Sequence, residues 1–209
     1  MSPILYSFRR CPYAMRLRLA LDASGFAVEL REIVLRDKPA EFLAASVSAT
    51  VPCMVTDGLT IDESLDAMIW VLEQHDPEGW LDMPEESHAW IARCDGPFKD
   101  ALDRTKYATR YPDADPEEQR VIATDFLNDL NSQIDGWIFG KPTLADYAIL
   151  PFVRQFAFID KPRFDAEPWP NLQRWLEAFL SSDRFARIMQ KYPKWRPGDA
   201  PTLFPQKAA

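Results

Sequence analysis

The sequence lacks any long hydrophobic run. None of its apolar stretches approaches the length of a membrane span, so we predict no membrane partner. The first apolar stretch, Ile4–Phe8, is only about five residues long and is followed by two arginines, which does not fit a secretory signal peptide. The hydrophobic fraction is 47%, enough to form buried cores in a chain of 209 residues. We therefore expect one large or two small globular domains.

Cysteine and histidine are scarce as well. The three cysteines, Cys11, Cys53 and Cys94, are too widely spaced for a disulfide framework or a Cys-x-x-Cys metal pair, which predicts a reduced, cytoplasmic protein. The two histidines, His75 and His88, lack the spacing of metal ligands, and we interpret both as surface residues. We expect no bound metal.

Positive charge is in the minority. The net charge is −8, and an acidic protein binds nucleic acid poorly, so we expect no nucleic-acid partner. Residues 1–40 are the exception, because they carry seven Arg or Lys against four Asp or Glu. This basic segment is suited to a small anionic ligand.

Strand and helix patterns alternate in the first third of the chain. The predicted strands are Ile4–Phe8, Ala27–Val34, Cys53–Thr56 and Leu59–Ile61. The predicted helices are Pro12–Ser24, Ala40–Ala45 and Ser64–Gln74. The dipeptide Asp57-Gly58, between the last two strands, is typical of a two-residue hairpin turn. This order of elements predicts a small α/β domain of about 75 residues.

Beyond this domain the strand signals disappear. Residues 76–84 contain turn formers and no periodicity, so we predict a first domain over 1–76, a linker over 77–86 and a helical domain over 87–209. Its predicted helices are Glu85–Tyr111, Pro116–Ile138, Leu144–Phe158, Trp169–Ser182 and Asp183–Gln190. Thr143 and Asp146 fit a capping box that opens the third of these helices. The tail from Pro193 is predicted to be irregular.

Cys11 lies at the junction of the first strand and the first helix. Pro12 suits the first position of a helix, so the free N–H groups and the positive dipole end of that helix point at Cys11. Both this position and nearby positive charge lower the pKa of a thiol. The arginines close in sequence are Arg9, Arg10, Arg16 and Arg18. A buried structural cysteine is the alternative, but the surroundings favour a nucleophilic or redox thiol.

Four short motifs follow one another along the chain: Cys11-Pro12-Tyr13-Ala14, Val51-Pro52, Glu63-Ser64 and Thr143-Leu144-Ala145-Asp146. In this order they resemble the cytosolic glutathione transferase superfamily. The first is similar to the cysteine motif of omega-class transferases and monothiol glutaredoxins, and the second to the family's cis-proline loop. The resemblance implies an α+β two-domain fold and a homodimer. The N-terminal domain would be thioredoxin-like with a mixed four-stranded sheet, and the C-terminal domain all-α.

The resemblance also implies a glutathione site, with Cys11 as the catalytic residue and glutathione as co-substrate. The implied glutathione-binding residues are Phe8, Lys38, Val51, Pro52, Glu63 and Ser64. A helix start at Ser64 suits a carboxylate, and Glu63 suits an ammonium group. Each of these residues also has a simpler interpretation. Lys38 would be a solvated surface charge, the peptide bond before Pro52 would be trans, and Glu63-Ser64 would be an ordinary helix start.

Two departures from the family pattern bear on the chemistry. Ala14 stands where dithiol glutaredoxins carry a second cysteine, so we expect a mixed disulfide of Cys11 with glutathione that a second glutathione resolves. Cys53 is an alternative resolving thiol, although a small apolar strand residue is the simpler interpretation. The segment 48–51 also lacks the proline and glycine that often precede the cis-proline in the family.

The second substrate is expected between the two domains. It would be a small-molecule or protein disulfide, or an electrophile. Tyr107 and Tyr111 are four residues apart and would share a helix face, a face equally suited to core packing or dimer contact. The residues considered for this site are Lys106, Tyr107, Arg110, Tyr111 and Trp195.

Three functions are compatible with the sequence, and we favour the first of them. The first is glutathione-dependent thiol transfer or reduction through Cys11. The second is conjugation of glutathione to small electrophiles, for which Tyr6 or Ser7 would have to supply a hydroxyl; we expect Ser7 to face outward. The third is a non-catalytic, regulatory member of the fold that binds partner proteins.

Overall fold

The computed structural model describes residues 2–206, within which there are five strands and ten α-helices. Their contacts form two compact units. The first unit comprises the described residues up to Leu81 together with those from Ser182 onward, and the second comprises Asp82 to Ser181. None of the helices in this part of the chain is long and apolar enough to cross a membrane.

The first unit is built on a mixed sheet with the strand order β4-β3-β1-β2-β5. Its strands are β1 (Ile4–Ser7), β2 (Val28–Glu32), β3 (Cys53–Thr56), β4 (Leu59–Ile61) and β5 (Leu203–Phe204). Its helices are α1 (Pro12–Ser24), α2 (Ala40–Ala45), α3 (Ser64–Gln74) and α10 (Asp183–Ile188). Strands β1 and β2 are parallel, whereas β3 runs antiparallel to β1, and β4 to β3. This is the predicted thioredoxin-like arrangement.

The sheet has five strands instead of the predicted four. The extra strand, β5, comes from the tail that was predicted to be irregular, and it pairs antiparallel with β2 through Val28–Phe204 and Glu29–Leu203. A strand of two residues is too short to show an alternation of apolar and polar side chains, and β2, with which it pairs, lies far away in the sequence. The sequence therefore did not predict β5.

The final helix also belongs to the first unit. Asp22 on α1 has a side chain only 2% exposed, and it accepts hydrogen bonds from Arg187 Nε at 2.7 Å and Arg184 Nε at 3.1 Å. A nearly buried carboxylate held by two guanidinium groups ties α10 to α1. The predicted boundaries place residues 182–206 in the helical domain, whereas these contacts group them with the sheet.

The second unit is all-helical. Its helices are α4 (Glu86–Arg93), α5 (Lys99–Lys106), α6 (Pro116–Gln133), α7 (Leu144–Ala157), α8 (Lys161–Ala166) and α9 (Pro170–Leu180). A π-helical turn over Cys94–Phe98 joins α4 to α5, and a 3₁₀ turn covers Ala108–Arg110. Helix α8 was not predicted, because six residues show no clear periodicity. Thr143 is the N-cap of α7, as the capping-box motif predicted.

Two of the predicted helix ends are wrong. The helix predicted over 85–111 ends at Lys106, where Tyr107 leaves helical geometry with φ −115° and ψ 48°. Its π-helical turn contains Pro97, which cannot donate a backbone hydrogen bond. The helix predicted to reach Ile138 ends at Gln133, because Ile134 is already extended (φ −70°, ψ 122°), and Gly136 takes a positive φ of 71° in the turn that follows.

Candidate active site

Cys11 is the N-cap residue of α1. Its backbone is extended (φ −72°, ψ 124°), Pro12 takes the first helical position, and the Cys11 carbonyl accepts the hydrogen bond of Met15 N–H at 2.9 Å. The Cys11 N–H donates to Phe8 O at 3.0 Å, which closes the turn between β1 and α1. The side chain is partly exposed. The thiol therefore stands at the positive end of the helix dipole and is open to a reagent.

The loop that precedes β3 adjoins this thiol. The Val51–Pro52 peptide is cis, as the resemblance implied. Cys11 Sγ donates to Val51 O at 3.5 Å, a normal length for a hydrogen bond that involves sulfur. The predicted residues Cys11, Val51 and Pro52 thus come together.

The start of α3 contacts α1. Glu63 is the exposed N-cap residue, and Ser64 is the buried first residue of the helix. Arg16, which is 1% exposed, donates through Nη1 to Ser64 Oγ at 3.4 Å. The hydroxyl of Ser64 is therefore engaged with α1, and the backbone N–H groups of the first turn of α3 are left for an anion.

The side chains of Lys38 and Phe8 are both half-buried. Phe8 packs against the apolar cluster of the first unit, and the Arg10 guanidinium lies 5.5 Å from the centre of its ring. Within residues 2–206 the Lys38 ammonium makes no ion pair, whereas the neighbouring Asp37 pairs with Lys194. Lys38 is thus a half-buried cation that can receive an external carboxylate.

The hydroxyls considered for conjugation are both buried. Tyr6 is 2% exposed, and its Oη accepts from Arg31 Nη1 at 2.8 Å. Ser7 does not face outward as predicted. It is fully buried, and its Oγ accepts from Arg18 Nη1 at 2.6 Å. Trp195, considered for the second-substrate site, packs in the core against Tyr6.

Cys53 is a poor nucleophile. Its side chain is fully buried, and burial together with the neighbouring Asp62 carboxylate raises the pKa of the Cys53 thiol to about 12. The thiol is therefore protonated at neutral pH, and the thiolate is the reactive form. The simpler interpretation, an apolar strand residue, fits these surroundings.

The loop before Pro52 is held by hydroxyl groups that belong to none of the four sequence motifs. Ser48 Oγ lies 2.7 Å from Thr50 Oγ1, and the Ser48 N–H donates to Asp62 Oδ2 at 3.2 Å. Ala49 between them has a positive φ of 53°, a conformation that favours glycine. The alternating hydroxyls at 46, 48 and 50 are the sequence signal for this loop, and they stand where the family often has proline and glycine.

The residues proposed for the second substrate lie in the second unit. Tyr107 and Tyr111 do not share a helix face, because α5 ends before them. The Arg110 guanidinium lies 4.5 Å from the centre of the Tyr107 ring. Arg110 and Tyr111 line a pocket of about 210 Å³, together with Arg104, Pro112, Asp113 and Ala114.

Both histidines are exposed, as predicted. Among the described residues no group of three or more His, Cys, Asp or Glu side chains could hold a metal ion.

The sequences of both units match models of known protein families. The model of the glutathione S-transferase N-terminal domain matches residues 5–80, and that of the glutathione S-transferase C-terminal domain matches residues 88–178. The chain belongs to the glutathione S-transferase family.

Individual members of the family are similar over shorter stretches. A probable glutathione transferase of Aplysia californica is 35% identical over 65 residues, which is 31% of this chain and 71% of that protein. Glutathione S-transferase DHAR2 of Arabidopsis thaliana is 31% identical over 104 residues, 47% of this chain. That match spans 48% of DHAR2, so the chain aligns with about half the length of this relative.

The glutathione transferase fold is shared with a solved structure over nearly the whole chain. A family member from Pseudomonas fluorescens, crystallised with two glutathione molecules bound, superposes with a TM-score of 0.77. The superposition covers 90% of this chain and 92% of that one, at 18% sequence identity. At this identity the likeness concerns the fold.

Proposed function

We propose that this glutathione transferase carries out glutathione-dependent thiol transfer with Cys11 as its nucleophile. The observation that carries the proposal is the placement of one partly exposed thiol at the N-terminus of α1, with its Sγ 3.5 Å from Val51 O. The helix dipole at this position favours the thiolate over the thiol. A thiolate next to a bound sulfur compound is suited to disulfide exchange.

The glutathione site proposed around Cys11 uses the residues implied by the resemblance. The first turn of α3, with Ser64 buried and Glu63 exposed, suits the amino-acid end of glutathione, which carries both a carboxylate and an ammonium. Lys38 suits the carboxylate at the glycine end. Val51, Pro52 and Phe8 would line the middle of the ligand next to Cys11. The Pseudomonas fluorescens relative, which holds glutathione, supports this ligand class.

The proposed reaction needs one protein thiol and two exchange steps. In the first step the Cys11 thiolate attacks the glutathione sulfur of a mixed disulfide, a new Cys11–glutathione disulfide forms, and the substrate leaves as a thiolate that takes a proton from water. In the second step a glutathione thiolate attacks the glutathione sulfur on Cys11. Glutathione disulfide is released, and Cys11 returns as a thiolate.

The surroundings of Cys11 favour this route over an intramolecular disulfide. Ala14 stands one helical turn after Cys11 and offers no second thiol. Cys53 is buried, with its thiol pKa raised to about 12. A second glutathione is therefore the resolving thiol in the proposal.

Conjugation is the second candidate, and the structure gives it less support. Conjugating transferases need a hydroxyl that stabilises the glutathione thiolate. Here Tyr6 and Ser7 are both buried, and their oxygens accept hydrogen bonds from Arg31 and Arg18. A cysteine facing the ligand sulfur forms a disulfide with glutathione by exchange with a glutathione disulfide or mixed disulfide, which releases the other thiol.

Further parts of the proposal rest on the family resemblance. The second substrate is a small-molecule or protein disulfide, or an electrophile, with Tyr107, Arg110 and Tyr111 as the residues proposed to contact it. The protein is proposed to act as a homodimer in the cytoplasm.

A comparison of two reactions on the wild-type protein tests the proposal. We expect rapid reduction of a mixed disulfide of glutathione and a small thiol, and conjugation of an aromatic halide at a rate at least about tenfold lower, because the Tyr6 and Ser7 hydroxyls are buried and accept from Arg31 and Arg18. Both rates are measured with the same enzyme and glutathione concentrations. Fast conjugation with no disulfide reduction would contradict the proposal.

A further inference from the structure

A buried arginine of α1 contacts the start of α3. Arg16 is 1% exposed, and its Nη1 donates to Ser64 Oγ at 3.4 Å. Ser64 is the first residue of α3 and is itself 4% exposed. The proposed function assigns this end of α3 to the amino-acid end of glutathione. Arg16 therefore contacts a side chain of the proposed ligand site directly.

The Arg16 guanidinium is also held on its own helix. Its central carbon lies 5.8 Å from the centre of the Tyr13 ring. Tyr13 is three residues earlier in α1, so the ring and the guanidinium are neighbours on the helix surface. Burying a guanidinium costs free energy, and an apolar side chain would fill the space between two packed helices at lower cost. The position of Arg16 beside a proposed ligand site favours a functional role.

The N-terminal end of α3 is suited to an external anion. Its N-cap residue is Glu63, whose side chain makes no capping hydrogen bond. Helices α6 and α8 differ, because their N-cap residues Asp115 and Asp160 accept hydrogen bonds from backbone N–H groups. The N–H groups in the first turn of α3 are thus not taken by the N-cap side chain, and together with the Ser64 hydroxyl they suit a carboxylate.

The hydrogen bond from Arg16 decides how the Ser64 hydroxyl meets such a carboxylate. A serine hydroxyl has two acceptor lone pairs and one proton to donate. A guanidinium has donors only, so Arg16 occupies a lone pair of Ser64 Oγ and the hydroxyl proton is directed elsewhere. A carboxylate accepts hydrogen bonds and donates none. The hydroxyl proton of Ser64 is therefore left for the ligand.

We propose that Arg16 is a positioning residue for the α-carboxylate at the amino-acid end of glutathione, and that it acts through Ser64. It occupies a lone pair of the Ser64 oxygen and so turns the hydroxyl proton toward the ligand. The inference rests on the proposed function, in which this end of glutathione lies at the start of α3. It concerns ligand binding and is measurable without any reaction at Cys11.

The test compares two ligands that differ in one carboxylate. Reduced glutathione carries it, whereas 4-aminobutyryl-cysteinyl-glycine lacks it and keeps the ammonium and the rest of the molecule. The dissociation constants of both ligands are measured by isothermal titration calorimetry in an oxygen-free buffer, so that no disulfide forms at Cys11. The dissociation constant of the analogue divided by that of glutathione reports the recognition of the carboxylate. A change in helix packing alone weakens the binding of both ligands and leaves this ratio unchanged.

Arg18 offers a matched control on the same helix. It is also 1% exposed, and its Nη1 donates to a serine hydroxyl, Ser7 Oγ, at 2.6 Å. Ser7 lies in β1, outside the proposed carboxylate site. Arg18→Met therefore removes a buried arginine–serine contact of the same kind at a different place. The other variants are Arg16→Met, Arg16→Lys, Ser64→Ala and the double variant Arg16→Met/Ser64→Ala.

We expect Arg16→Met to lower the ratio about fivefold, because the Ser64 hydroxyl loses the donor that orients it. Arg16→Lys keeps a donor and restores at least about half of this loss. Ser64→Ala lowers the ratio at least about fivefold, and adding Arg16→Met to it changes the ratio less than about twofold, because no hydroxyl is left to orient. Arg18→Met leaves the ratio within a factor of about 1.5, since its contact lies outside the site.

An unchanged ratio in folded Arg16→Met would overturn the inference. A loss of the same size on adding Arg16→Met to Ser64→Ala, or an equal loss in Arg18→Met, would overturn it as well. If Arg16→Met does not fold, Ser64→Ala decides, because an unchanged ratio there leaves Arg16 nothing to act through. Failure of the proposed glutathione site has a different signature, since the wild-type protein itself would then bind neither ligand or bind both equally.

Discussion

Replacing Cys11 with serine lowers the rate of thiol transfer at least about a thousandfold, because the step that forms the mixed disulfide needs a sulfur nucleophile. A serine oxygen at this position keeps the N-cap of α1, since serine is a preferred N-cap residue, so the fold is retained. The measurement is the turnover of a glutathione mixed disulfide at saturating glutathione. A melting curve of the variant confirms that the loss is chemical.

Cys53→Ala is the matched control for this experiment. Cys53 is buried in β3 and close in sequence to the same loop, but its thiol is protonated near neutral pH. We expect Cys53→Ala to keep the wild-type turnover within a factor of about three, with a modest loss of stability from the small cavity. Activity that survives Cys11→Ser, or that vanishes in folded Cys53→Ala, would contradict the assignment of Cys11 as the single reactive thiol.

Asp146→Ala destabilises the second unit by about 3 to 5 kcal/mol, since a buried acceptor of four hydrogen bonds is removed. Asp146 is fully buried. Its Oδ1 accepts from Ile138 N–H at 3.0 Å and Trp175 Nε1 at 3.1 Å, and its Oδ2 accepts from the Thr143 N–H and hydroxyl, both at 2.9 Å. The carboxylate thus joins the start of α7 to the segment before it and to α9, and alanine leaves all of these donors without a partner.

Asp129→Ala is the matched control, because it removes a carboxylate that is exposed instead of buried. The Asp129 side chain is 59% exposed and pairs with Arg93 on the surface, so its removal changes the free energy of unfolding by no more than about 1 kcal/mol. Both variants are compared by urea unfolding monitored by tryptophan fluorescence. Equal effects of the two substitutions would show that Asp146 does not have this structural role.

The features that the sequence predicted correctly depend on local signals. Helix α1 begins at Pro12 and ends at Ser24, as predicted, because proline suits the first helical position and Gly25 adopts a left-handed conformation (φ 70°) at the C-terminal end. The Asp57-Gly58 turn connects β3 and β4 as predicted. The cis Pro52 beside Cys11 followed from the order of the motifs and their resemblance to a family.

The features that were missed depend on partners distant in the sequence. Strand β5 exists because β2 offers it an edge, and its two residues carry no pattern of their own. Ser7 was expected to face outward, but Arg18, eleven residues later, reaches it from α1 and makes a buried polar pair. The contact of Glu32 with the Arg9 main chain spans 23 residues and likewise depends on the packing of α1 against the sheet.

The most direct test of the central claim is the intact mass of the purified protein after incubation with glutathione disulfide. Only Cys11 combines exposure with a position at a helix N-terminus, while Cys53 and Cys94 are fully buried. The account predicts one glutathione adduct, mapped to Cys11 by peptide mass spectrometry and released by excess reduced glutathione. A protein whose Cys11 stays free, or an adduct mapped to Cys53 or Cys94, would contradict it.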